Sequence, residues 1–216
     1  MPNYLFSKTA YIKGVQCLKQ LYLYKYHYKL QDPLSPETLA KFKSGHDFED
    51  AYRAANFPFA VDIEKIAKNR NDYASLTQKA LQKQVADIFE ATFVHQEVLV
   101  MNDVLTRSSG KWEIQEIKNS IELKSAHIQD IALQYFVTKG VLGQELDAKL
   151  ILNSGENGYK IIDVTPEVKA LQGNIRANIE RFKNILEQNS VPKIAIGEHC
   201  EDPYKCSFWG YCHKTT

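Results

Sequence analysis

Four cysteines, and where they fall, constrain this chain more than any other feature. Cys17 lies near the start, and the other three crowd the end as His199-Cys200-x5-Cys206-x5-Cys212. Four thiols with none left over suggest one four-ligand metal site that ties the two ends of the chain together. Soft thiolates select zinc or an iron-sulfur cluster, and the count alone leaves both open. Structural zinc sites usually bring ligands in close pairs, whereas these three are evenly separated with a distant fourth partner, a spacing that favours iron. Tyr204, Phe208, Trp209 and Tyr211 supply apolar bulk that would shield a cluster from water and tune its potential. Two disulfides, or four unrelated buried thiols, are the alternatives. Disulfides fit poorly: Met1 to Ile12 carries Asn3, Ser7, Lys8 and Thr9 and has no apolar core of export-signal length, so a reducing, cytoplasmic setting is expected.

No run of about 18 apolar residues occurs, and no membrane span is expected. At 216 residues, 44% hydrophobic and 25% charged, the chain can build one good core and lacks a disordered composition. The economical organisation is one domain over 1–216, with 1–31 and 195–216 forming the metal-cluster clasp and 92–165 the sheet core. The net charge is only +1, so a nucleic-acid partner would have to be met by locally gathered basic groups. Lys13, Lys43, Arg176, Arg181 and Lys183 are the candidates, although charges on helices are more often a solvated face.

Ser7 or Thr9 can cap a helix running through Cys17 to about Leu30, where Asp32-Pro33 stops it. Tyr22, Tyr24, Tyr26 and Tyr28 spread round this helix, which suits packing; with Lys13, Lys19, Lys25 and Lys29 they could also form a stacking groove. A second helix starts near Ser35-Pro36-Glu37 and carries Gly45-His46-Asp47-Phe48-Glu49. Leu76, Ala80, Val85, Ile88 and Phe89 predict a third over Leu76 to Ala91. Then the period changes: Phe93 to Leu105 and Lys111 to Lys118 alternate around Ser108-Ser109-Gly110 and read as a β-hairpin. A helix from about His127 to Val141 follows, then strands near Ala148 to Leu152 and Tyr159 to Val164 around a Gly155 to Gly158 turn. A long helix from Pro166 to about Gln188 precedes the cysteine tail. This order predicts an α/β or α+β fold with a mixed central sheet flanked by helices.

The chemistry concentrates on the hairpin. Alternation puts Glu116 and Lys118 on one face with Trp112 and Ile114, and Ile117 on the other. Asp103 can lie across from Glu116, so two carboxylates could share a divalent ion with the Ile117 carbonyl as a further oxygen ligand; hard oxygen ligands suit Mg2+ or Mn2+. Lys118 would then orient or help deprotonate the attacking water and steady charge on a phosphoryl group. A cross-strand ion pair on a surface strand would explain the same residues.

The order of Gly45-His46-Asp47-Phe48-Glu49, Asp103-Val104-Leu105, Glu116-Ile117-Lys118 and Gln134 resembles the PD-(D/E)XK nuclease superfamily in its RecB-like branch. With Cys17-Leu18-Lys19-Gln20-Leu21-Tyr22-Leu23 and the span from His199-Cys200 to Cys212, the chain resembles the iron-sulfur members of that branch: CRISPR-associated Cas-four type exonucleases and AddB-type repair nucleases. The resemblance covers nearly the whole chain. It implies a restriction-endonuclease-like core and an exonuclease that cuts single-stranded DNA or DNA ends, in CRISPR adaptation, DNA repair or phage defence, beside proteins of those systems. Asp103 and Glu116 would bind Mg2+ or Mn2+, Lys118 would act in catalysis, and Cys17, Cys200, Cys206 and Cys212 would hold a structural [4Fe-4S] cluster. There are departures. The family's helical histidine usually sits about four residues after the glycine, where this chain has Glu49, while His46 directly follows Gly45; either could complete the metal shell. Gln134, a catalytic-helix residue and phosphate or base contact in the family, is present, but the tyrosine one turn later is Thr138, with Tyr135 beside the glutamine. Asn102 stands where the nominal proline precedes the aspartate. A non-catalytic nucleic-acid or partner-binding module that keeps the fold and cluster is the alternative function.

Overall fold

The computed structural model describes residues 4–108, 110–155 and 158–214. Its strands are β1 (Phe6–Ser7), β2 (Val61–Asp62), β3 (Asp87–His95), β4 (Val98–Ser108), β5 (Lys111–Lys118), β6 (Asp147–Gly155) and β7 (Gly158–Asp163). Its α-helices are α1 (Lys8–Gln16), α2 (Leu18–Tyr26), α3 (Pro36–Asn56), α4 (Ile63–Ile66), α5 (Tyr73–Gln82), α6 (Ser125–Leu142), α7 (Thr165–Ala170), α8 (Gln172–Leu186) and α9 (Trp209–Lys214). The strands form one mixed seven-stranded sheet in the order β2-β3-β4-β5-β6-β7, with β1 paired to β4. Pairing is antiparallel for β3-β4, β4-β5 and β6-β7, and parallel for β5-β6, β2-β3 and β1-β4. The fold is therefore mixed α/β, as the order of elements predicts. Among the described residues no helix is long and apolar enough to cross a membrane.

Two apolar layers hold the sheet. On one face Trp112 and Ile114 of β5, Ile88 and Phe93 of β3 and Leu150 of β6 meet Ile131 and Tyr135 of α6, with Ile175, Ile179 and Phe182 of α8 behind them. On the other face a smaller cluster of Phe89, Val104, Ile117 and Ile151 receives Tyr52 of α3. Ser35 caps α3 by accepting from Thr38 N–H at 3.2 Å, and Pro36 stands at its first turn, as the sequence suggests.

Four elements depart from expectation. The first helix is two: Cys17 takes an extended backbone (φ −161°, ψ 124°) that ends α1 and starts α2. The third ends at Gln82, and Val85, Ile88 and Phe89, whose spacing imitates a helical stripe, enter and form β3. Phe93 to Leu105 is two strands, folded at Gln96-Glu97, where both residues have positive φ (47° and 64°) as a two-residue primed hairpin turn requires. The last helix divides at Leu171 into α7 and α8. Of the two expected turns, Ser109 and residues 156 and 157 lie outside the described residues; the flanks pair as Ser108↔Lys111 and Gly155↔Gly158.

Candidate active site

β4 and β5 pair from Ser108↔Lys111 to Val104↔Gln115 and then part. On its other edge β5 stays paired with β6 from Glu113↔Asp147 through Lys118↔Leu152, while β4 takes β1 at Phe6↔Val98 and Ser7↔Leu99. Asp103 and Glu116 stand at the fork. The Asp103 carboxylate replaces the lost ladder bond by accepting from Ile117 N–H with Oδ2 at 2.8 Å. On the other side of β4, the pairs Phe89↔Val104 and Ala91↔Asn102 put Glu90 opposite Asp103. Glu90 has φ 54°. Alternation breaks there: Phe89 packs on the α3 side, while Ile88 and Ala91 face the α6 side. A single left-handed residue inside a strand costs free energy and re-aims a side chain, a feature concentrated at functional sites.

Tyr52 fixes α3 on the sheet and donates to Gln115 Oε1 at 2.8 Å, which leaves Glu49 and Arg53, one turn apart, flanking the fork. The Arg53 guanidinium lies 2.5 Å from Glu49 Oε1 and 2.6 Å from Glu90 Oε1, and donates to the Asp103 carbonyl at 2.7 Å. Glu49, Glu90 and Asp103 each present an oxygen within 4.8 Å of the others, a separation one cation can span. Glu116 belongs to an adjoining network. Its Oε1 accepts from Lys118 Nζ at 2.5 Å and Lys8 Nζ at 3.0 Å, and its Oε2 from Gln134 Nε2. Asp130 of α6, one turn before Gln134, takes Lys118 on Oδ2 at 2.6 Å and has Oδ1 3.6 Å from Lys8 Nζ.

The charges do not balance. With every group ionised, Glu49, Glu90, Asp103, Glu116 and Asp130 face Lys8, Arg53 and Lys118, a formal excess of two negative charges in a largely buried place. The carboxyl groups register it. Burial, reinforced by Glu116, holds Asp103 well above the usual carboxylate range. Burial likewise raises Glu49 and Glu90 against the opposing charge of Arg53, and Asp130 against Lys118 and Lys8. Glu116 goes the other way, because Lys118 and Lys8 overcome its burial. Lys118 is held well above its ordinary value, since Asp130 and Glu116 outweigh burial.

The structure thus brings Asp103, Glu116, Lys118, Glu49 and Gln134 to one place. His46 lies exposed, one turn before Glu49 and outside the carboxylate trio. Ile117 donates its N–H to Asp103 Oδ2, which puts the Ile117 peptide edge at the fork. Gln134 is fully buried behind Glu116, where it cannot reach a solvent-borne strand directly. Four partners escaped the sequence reading: Glu90, Arg53, Asp130 and Lys8. Only Asp130 carried a usable signal, lying one helical turn from Gln134.

Away from this site, both ends of the chain meet. Gln16 donates to the carbonyls of His199 at 2.8 Å and Tyr204 at 2.7 Å, Lys13 to Ser207 Oγ at 2.8 Å, and Gly210 N–H to Asp32 Oδ2 at 2.8 Å. Cys17, Cys200, Cys206 and Cys212 line one pocket with Gln20, His199 and Trp209, and no disulfide joins them. Burial pushes the Cys17 and Cys206 thiols up. The Gln20 amide has its nitrogen 3.2 Å from Cys206 Sγ in one orientation; the flipped orientation satisfies both ends, on Lys13 O and Ser207 N, and is preferred. Of the basic candidates, Lys13 is tied into this joint, Lys43 pairs with Asp47 at 2.7 Å and Lys183 with Glu97 at 3.0 Å.

No protein-family model and no curated protein matches the chain. Among solved structures, the crystal structure of SSO0001 is similar over 100% of this chain and 88% of the other, with a TM-score of 0.51 and 11% identity. At that identity the likeness shows the fold alone.

Proposed function

We propose that the protein is a divalent-cation-dependent deoxyribonuclease of the PD-(D/E)XK kind, acting on single strands or duplex ends. The observation that carries this reading is the fork of β4 and β5, where Glu49, Glu90 and Asp103 converge beside Lys118 with a formal excess of two negative charges. Oxygen ligands and surplus charge fit Mg2+ or Mn2+. Glu49, Glu90 and Asp103 would hold the ion, with Glu116 on the neighbouring strand. Such a cation supplies Lewis-acid polarisation of a phosphoryl oxygen and activation of water. Lys118, protonated and partly exposed, offers its ammonium to the phosphate as charge develops. Gln134 and Asp130 hold Glu116 and Lys118 from behind, so the lysine's reach is set by α6.

Cys17, Cys200, Cys206 and Cys212 would hold a [4Fe-4S] cluster. Four soft ligands around one pocket suit it, and its contribution there is structural, joining α1 and α2 to the tail. One observation favours a non-catalytic binding module instead: Arg53 already bridges Glu49 and Glu90.

Incubating metal-loaded protein with labelled single-stranded DNA and Mn2+ separates the readings. Wild type is expected to degrade the strand, with Glu116→Ala and Lys118→Ala slower by at least ~100-fold. Equal degradation by all three would remove the assignment, and no degradation by wild type would favour the binding module. Iron in elemental analysis supports the cluster; zinc overturns it.

A further inference from the structure

Lys8 is 108 residues from Glu116 in sequence, yet its ammonium sits 3.0 Å from Glu116 Oε1 and 3.6 Å from Asp130 Oδ1. The fork explains how it arrives. β1 occupies the β4 edge that β5 has left, and Lys8 is the next residue, the first of α1. Ser7 caps that helix by accepting from Ala10 N–H at 3.4 Å. The register of α1 is fixed further along. Tyr11 packs edge-on against Phe182 at 5.2 Å between ring centroids, and a Cβ on Gly14 would lie 2.9 Å from the same ring, so the helix cannot slide. Lys8 is therefore no ordinary surface lysine: its side chain is 24% exposed and tethered at both ends.

The four groups alternate in charge. Lys118 touches Glu116 and Asp130 from one side and Lys8 faces the same two from the other. Remove Lys8, and Lys118 alone must neutralise two buried carboxylates. That draws its ammonium inward, away from the mouth of the fork, and leaves Glu116 less firmly fixed.

We propose that Lys8 is a positioning residue of the hydrolytic centre, delivered by the N-terminal strand and helix, which holds Glu116 and Asp130 so that Lys118 remains available to the scissile phosphate. This rests on the nuclease reading above. A second consequence does not depend on turnover. Lys8 is one of three cations set against five carboxylates, and its field reaches Asp103 and Glu90. Its loss deepens the negative excess, so a divalent ion should bind more tightly while cleavage slows. A lysine that merely supports the fold would weaken both.

The test compares full-length wild type, Lys8→Met and Lys8→Arg, each checked for folding by thermal melt. Mn2+ alone is titrated and followed by electron paramagnetic resonance, and labelled single-stranded DNA is digested across a range of concentrations. Lys8→Met should bind Mn2+ roughly 3- to 10-fold more tightly, lose ~10- to 100-fold in kcat with KM within about 3-fold, and be largely rescued by Lys8→Arg. Unchanged Mn2+ affinity with wild-type turnover overturns the proposal. So does a raised KM with kcat preserved, which would make Lys8 a phosphate contact. Should Lys8→Met fail to fold, Lys8→Gln carries the same readouts. If wild type digests nothing yet Lys8→Met still binds Mn2+ more tightly, the nuclease reading has failed and the charge relation of Lys8 to the acidic centre stands.

Discussion

Glu90 shows how backbone and chemistry meet in this protein. A non-glycine residue at φ 54° inside a nine-residue strand is held at a cost of roughly 1–3 kcal/mol. What the cost provides is aim: the carboxylate leaves the alternation of β3 and joins Glu49 and Asp103. No pattern of residue types announces this, because the sequence argument assumes regular alternation along a strand. Lys8 was hidden for another reason, since its partners are distant in sequence and its segment reads only as a helix start. His127 supplies a test at this scale. It is buried at the start of α6, its Nδ1 faces Lys124 N–H at 3.4 Å, and burial with the charges of Lys118 and Lys124 lowers its pKa to about 4. The unfolded chain therefore binds the proton first. The contribution of His127 is complete above the unfolded value of about 6.5 and fades as pH falls toward 4, up to about 3 kcal/mol. In urea unfolding, the stability difference between His127→Gln and wild type should shift in favour of the variant across that interval. A pH-independent difference would contradict the burial argument. The raised carboxylates titrate with the opposite sign, which is why the difference between the two proteins is the quantity to follow.

Among the elements, those with complete local signals were legible. The Ser35-Pro36 start of α3, the alternation of β5 and the apolar run of α6 all stand where the residues place them. Where elements depart from their local signals, the causes are physical. Val85, Ile88 and Phe89 have helical spacing and β-compatible side chains, and the pairing of β3 with β4 decides between the two. The turn between those strands carries no sequence signal, because Gln96-Glu97 lacks the asparagine or glycine that positive φ favours. Replacing it with Asn-Gly should relieve that cost without disturbing the Glu97 carbonyl, which accepts from Leu5 N–H at 2.7 Å. The ion pair of Glu97 with Lys183 is exposed on its Glu97 side and contributes little. The double variant Gln96→Asn, Glu97→Gly should gain about 1 kcal/mol in urea unfolding with an unchanged denaturant slope. A loss of stability would mean that the turn is not of this type.

For the whole molecule, the cysteines anticipate a geometry that the strands alone do not. Both ends of the chain close on one another around the thiol pocket, and α1 runs from that pocket to the fork, with Lys8 at one end and Cys17 just past the other. The candidate hydrolytic centre and the clasp thus share a nine-residue helix. Asp103, Glu116 and Lys118 were legible as a motif; the formal surplus of negative charge around them emerges only when α3, α6 and α1 are assembled around the sheet. Titration of Mn2+ followed by electron paramagnetic resonance reads that surplus as affinity for a divalent ion. Wild type should bind the ion, Glu90→Gln should bind at least ~10-fold more weakly through loss of one carboxylate ligand, and Glu97→Gln, on the distant turn, should match wild type. Equal Mn2+ binding by wild type and Glu90→Gln would show that Glu90 is no ligand and that the carboxylate trio does not hold the ion.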